Sequence, residues 1–112
     1  MSLPRIEEIN LLHANICSAL AEPKRILILY ALNERPWNVS ALAEFLGVPQ
    51  PTVSRHLRIL RYQSLVVAER EGSSVVYYIA DLRIIEVLET MRQILYDSNA
   101  QRSALLQTGM TA

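Results

Sequence analysis

The chain has 112 residues, 51% of them apolar and 20% charged, with no net charge; this is one soluble domain's worth of material and too hydrophobic for a disordered tail. The longest unbroken apolar run, Ile26 to Leu32, falls far short of a membrane span, and Glu7 and Glu8 stand where a signal peptide needs an apolar core. The single cysteine, Cys17, excludes an intramolecular disulfide and suits a reducing compartment, so a cytoplasmic protein with no membrane contact is expected.

From the N-terminus, Ile6, Ile9, Leu12, Ile16 and Leu20 return every three or four residues and predict a first helix over about 5–20. The Glu22-Pro23 step interrupts it and opens a second helix, from Pro23 to about Asn33. That helix is apolar almost all round, so it is expected to be the most buried element. After a turn at Arg35-Pro36, a short helix is expected over Ser40 to Leu46, with Ser40 as N-cap, Glu44 near capping-box range and Gly47 as a left-handed C-cap. A fourth helix follows to about Tyr62, with Pro51 in its first turn at no hydrogen-bond cost. Two β-prone runs, Leu65 to Arg70 and Ser74 to Ile79, flank a turn at Glu71-Gly72-Ser73 and read as a hairpin.

Asp81 starts a long last helix, expected over about 82–104. On a helical wheel, Ile84, Ile85, Val87, Leu88, Met91, Ile94, Leu95 and Tyr96 span roughly 200° of arc, about twice what one core requires. The surplus asks for a second partner, and another copy of the chain is the economical one. The fold class is therefore mainly α with a small β-hairpin: a winged helix of four helices, two strands and a fifth helix, dimeric, in a single domain over 1–112.

The fourth helix carries the chemistry. In "QPTVSRHLRIL", residues 50–60, Val53, Leu57 and Leu60 mark a buried side, while Ser54, Arg55, Arg58 and the following Arg61 mark a basic, hydroxyl-rich one. Charge is polarised along the chain: residues 50–71 have a surplus of two positive charges and residues 1–22 a deficit of two. A helix of this kind, second in a helix-turn-helix, suits the major groove of duplex DNA. Arginine pairs bidentately with guanine and glutamine with adenine, and hydroxyls suit phosphates or either base. His56 beside Ser54 makes no catalytic pair, because i and i+2 residues on a helix point apart and no acid orients the imidazole. A structural or DNA-backbone role is expected for it.

The stretches Leu20-Ala21-Glu22-Pro23-Lys24-Arg25, Thr52 to Leu60 and Gly72 to Tyr78 together resemble the ArsR/SmtB family of bacterial and archaeal repressors, over about residues 16–80. The resemblance implies a homodimer built from the first and last helices, binding a double-stranded operator with an inverted repeat. It implies DNA contacts from Gln50, Thr52, Ser54 and Arg55, with His56 and Arg58 on the backbone side and Arg70, Ser73 and Ser74 at the wing tip. The expected dimer contact comprises Ile9, His13, Ile16, Cys17, Ile84, Leu88, Met91 and Leu95.

Thiolate sensors of that family carry Cys-x-Cys at the start of the third helix, where this chain has Asn38 and Ser40. Zinc sensors carry Asp-x-His near the start of the last helix, with ligands downstream; here Asp81-Leu82-Arg83 is followed by Ile94 and Asp97. Neither metal site is expected, nor any cofactor, and no constellation specifies an effector. Two alternatives remain beside the repressor: a winged helix used for protein–protein contact, and a thiol or metal sensor using His13 and Cys17, which share a face of the first helix. The chain offers no nucleophile–base pair or phosphate loop for an enzyme, and its seven aromatics are too scattered to stack single strands.

Overall fold

Helix α1 covers residues 6–20 with a change of pitch in the middle. It is α-helical over Ile6–Leu12, widens to a π-helical turn over His13–Cys17 and closes as α-helix over Ser18–Leu20. Ala19 is the one buried residue of this helix, so its apolar face of Ile6, Ile9, Leu12 and Ile16 is uncovered in the single chain. The computed structural model describes residues 2–107, with side chains to residue 102.

Glu22 is extended, as a residue before proline should be, and its carboxylate accepts a hydrogen bond from the Lys24 N–H at 3.1 Å. It thereby caps α2, Pro23–Glu34. Ile28, Leu29, Ala31 and Leu32 are buried, but Leu27 is half-exposed. The helix expected to be the most buried element thus contributes four buried residues, as the later helix Gln50–Tyr62 also does, and its apolar run exceeds the core it meets.

Arg35 is also extended; the chain bends there, at the expected turn, and then enters a two-residue strand, β1, Trp37–Asn38. This strand was not expected; two residues are too few to show alternation. Trp37 is anchored there by its indole N–H, which donates to the Ala31 carbonyl at 2.9 Å. The Arg35 guanidinium lies over its ring at 3.4 Å, and the Phe45 ring is 4.8 Å away.

Helix α3, Val39–Leu46, is capped by Asn38, whose side-chain oxygen accepts from the Ala41 N–H at 2.7 Å. This corrects the assignment of Ser40 as N-cap. Glu44, four residues after Ser40 and in capping-box range only for a start one residue later, is six residues after Asn38. Gly47 closes α3 with φ +65°, as expected. Helix α4, Gln50–Tyr62, follows, and Val53, Leu57 and Leu60 on its inner side are completely buried.

Strands β2, Val66–Glu71, and β3, Ser74–Ile79, pair antiparallel around Gly72, and β3 also pairs with β1, giving the order β1-β3-β2. The register Val67↔Tyr78, Glu69↔Val76 and Glu71↔Ser74 puts these six residues on one face. The other face carries Val66, Ala68, Arg70, Val75, Tyr77 and Ile79, and Val66 there is buried.

These elements, through Asp81, make up one unit, and the chain from Leu82 makes up a second. The second holds α5, Arg83–Gln107, which ends three residues beyond the expected Ala104. Ile84 and Leu88, expected at the dimer contact, are buried, at 7% and 2% exposure. Apolar exposure on α5 is carried instead by Val87, Met91, Ile94, Leu95 and Tyr96.

Candidate nucleic-acid interface

Burial of Val53, Leu57 and Leu60 decides which side of α4 faces out. At 100° per residue, Pro51, Arg55, Arg58 and Tyr62 form the stripe opposite them. All four are exposed, as are Gln50 and Arg61. Thr52 and Ser54 flank the stripe and are half-buried. The arrangement is a rod whose outward and flanking positions hold three guanidinium groups, three hydroxyls and one carboxamide.

His56 does not belong to that face. It is 5% exposed, and its Nδ1 lies 3.2 Å from Nη1 of Arg25. Arginine has no acceptor, so Nδ1 accepts and the imidazole proton sits on Nε2. The expectation that His56 touches DNA is corrected: its position among Val53, Leu57 and Leu60 turns it inward. Burial lowers its pKa, and the Arg25 and Arg55 charges lower it further. The same Arg25 also donates to two carbonyls at the end of α1, Ala19 at 2.7 Å and Ser18 at 3.2 Å. Arg25 thus ties α1, α2 and α4 together. Sequence reasoning placed it in a motif without a role; the available signal was a guanidinium set just before a continuous apolar run.

At the wing, Arg70, Ser73 and Ser74 are all exposed. Glu71, on the face opposite Arg70, accepts a hydrogen bond from the Tyr78 hydroxyl. That bond raises the pKa of Tyr78 above the usual phenolic value. His13 and Cys17 both lie in the π-helical turn of α1 and are exposed. Among the described residues, no three His, Cys, Asp or Glu side chains converge as a metal site would require.

A family pattern described as "Bacterial regulatory protein, arsR family" matches residues 22–67, which include α2, α3 and α4. Among individual proteins, the chain is 42% identical over 76 residues to the HTH-type transcriptional regulator NmtR of Mycobacterium tuberculosis, covering 68% of this chain and 63% of that one. The crystal structure of M. tuberculosis Rv0081 superimposes with a TM-score of 0.76 at 33% identity, covering 90% of this chain and 98% of that one. The chain belongs to the ArsR family. Its fold is the winged helix shared with a further relative, Mb0332 from Mycobacterium bovis. The Mb0332 fragment is described as a homodimeric winged helix-turn-helix DNA-binding domain, with a TM-score of 0.68, 30% identity and coverage of 91% of this chain and 95% of that one. The chain spans about half to two thirds of the length of the first curated relatives it matches, 63% of NmtR and 52% of the repressor SmtB of M. tuberculosis.

Proposed function

We propose that this ArsR-family chain is a sequence-specific, double-stranded-DNA-binding transcriptional regulator that acts as a homodimeric repressor in the cytoplasm, as one winged-helix domain per chain. The observation that carries the reading is α4: its inner side is completely buried while Gln50, Arg55, Arg58 and Arg61 all face solvent. A helix of major-groove width with a fixed basic face meets both requirements of groove reading, rigidity and complementary charge. Gln50 and Arg55 read base edges; Thr52, Ser54, Arg58 and, from the wing, Arg70, Ser73 and Ser74 meet phosphates and nearby bases.

Dimerisation supplies the second half-site. The uncovered apolar residues of α1, Ile9 and Ile16 with His13 and Cys17 beside them, and of α5, Met91 and Leu95, provide the contact, in keeping with the homodimer described for Mb0332. A two-fold protein reads an inverted repeat, with half-sites about one helical turn or a multiple of it apart. No metal is assigned to the mechanism. Asn38, at a thiolate position of metal-sensing relatives, is already committed to capping α3. No helix of the described residues is long and apolar enough to cross a membrane.

The test is selection from a random duplex pool. Enrichment of an inverted repeat is expected, with affinity falling steeply between about 50 and 200 mM salt. A selection that returns no preferred sequence transfers the reading to a winged helix that binds protein.

A further inference from the structure

Arg25 is the only residue whose side chain bonds both to the end of α1 and to the side chain of an α4 residue among the hydrogen bonds described above. Its Nε and Nη2 hold the Ala19 and Ser18 carbonyls, and its Nη1 holds the His56 ring. These three bonds use the fork of one planar guanidinium, which an ammonium group cannot reproduce. We propose that Arg25 and His56 are a positioning pair: the pair locks the angle between α1 and the recognition helix α4, and protonation of His56 opens the lock and weakens DNA binding. The inference rests on the functional reading above and adds to it a means of regulation.

The lock has one protonation state. Once Nδ1 carries a proton, it has no lone pair for Arg25, and a second positive charge faces the guanidinium. The charged groups around the ring are Arg25 and Lys24 with Glu22 from α2, and Arg55 from α4 itself; only Glu22 favours the imidazolium. From α1 the ring's surroundings receive the Ser18 and Ala19 carbonyls, both already taken by Arg25. The protonated ring must therefore swing away from Arg25. Because α1 is an element of the proposed dimer contact and α4 reads the groove, the slack changes the spacing of the two recognition helices. A misaligned pair loses operator contacts even though each helix stays folded.

The sign separates this device from ordinary electrostatics. Acidification adds positive charge to a protein and strengthens its hold on a polyanion. Here the operator affinity is expected to fall as pH drops from about 7.5 to below the ordinary histidine value of 6.5, by about tenfold once His56 is protonated, the effect of losing one charge-assisted hydrogen bond. The assay is fluorescence anisotropy of the full chain at constant ionic strength, on the duplex most enriched in the selection. His56→Asn keeps an acceptor near the Nδ1 position and cannot be protonated. It is expected to retain binding at the upper pH and to remove the fall. His56→Leu and Arg25→Lys, checked for folding by circular dichroism, should bind about tenfold more weakly at the upper pH, with no further loss on acidification. A wild-type affinity that rises on acidification, or a fall that survives in His56→Asn, overturns the lock while leaving DNA binding intact. Failure of the unmodified chain to bind any duplex removes the functional reading and the lock with it.

Discussion

Leu57 and Arg55 are two residues apart on α4 and point in opposite directions, so truncating each should give opposite defects. Leu57 is completely buried, alongside Val53 and Leu60, which are also at zero exposure. Leu57→Ala removes three carbons from a completely buried site and leaves a cavity, at a cost of about 2–5 kcal/mol. A domain of this size has about 5–15 kcal/mol in total, so the variant should be folded but visibly weakened. Arg55→Ala removes an exposed side chain and should leave stability within about 0.5 kcal/mol. Its operator affinity, however, should fall by about 1–3 kcal/mol, and base preference should relax at one position per half-site. Urea unfolding followed by circular dichroism, at one fixed protein concentration because a dimer's stability depends on it, gives the first quantity. Anisotropy at low temperature, where Leu57→Ala is still folded, gives the second. If Leu57→Ala costs less than about 1 kcal/mol, or Arg55→Ala destabilises by more than that, the assignment of inner and outer faces is wrong.

Ile94→Arg, on the exposed part of α5, should give a folded monomer by sedimentation with weak operator binding; a folded dimer would place the contact elsewhere. Gly47→Ala should lower stability by about 1–2 kcal/mol through its positive φ alone, since an added Cβ there meets nothing within 4 Å. Ser64→Gly, at φ +61°, should cost much less or stabilise, and thermal melts distinguish the two. Tyr78 should ionise above pH 10 because its neutral form is the one hydrogen-bonded to Glu71; that contribution to stability is present below pH 10 and is lost as pH rises through the higher folded value. Ultraviolet titration should show a late tyrosinate component that Tyr78→Phe abolishes. Zinc, cadmium and arsenite should leave operator affinity unchanged, and tight stoichiometric metal lost on His13→Ala or Cys17→Ser would promote the α1 site instead.

Local chemistry determined most of the element order from the sequence alone. Proline at 23, glycine at 47 and 72 and the three-to-four spacing of Val53, Leu57 and Leu60 act within a few residues, so α2, the turn into α4 and the hairpin are legible without tertiary information. The outward Arg55 and Arg58 follow from the same spacing. Burial is different, because it depends on what arrives from elsewhere in the chain. The wheel of α5 treats Ile84, Leu88, Met91 and Leu95 as equivalent, yet only the first two are covered. Periodicity marks a face as apolar and leaves open which stretch of it is occupied. His56 looked like part of a polar face because its type is polar; Arg25, thirty-one positions away, supplies the bond that lets a ring nitrogen sit inside. Strand β1 exists only because β3 offers it an edge, and no property of Trp37 and Asn38 by themselves predicts that partner.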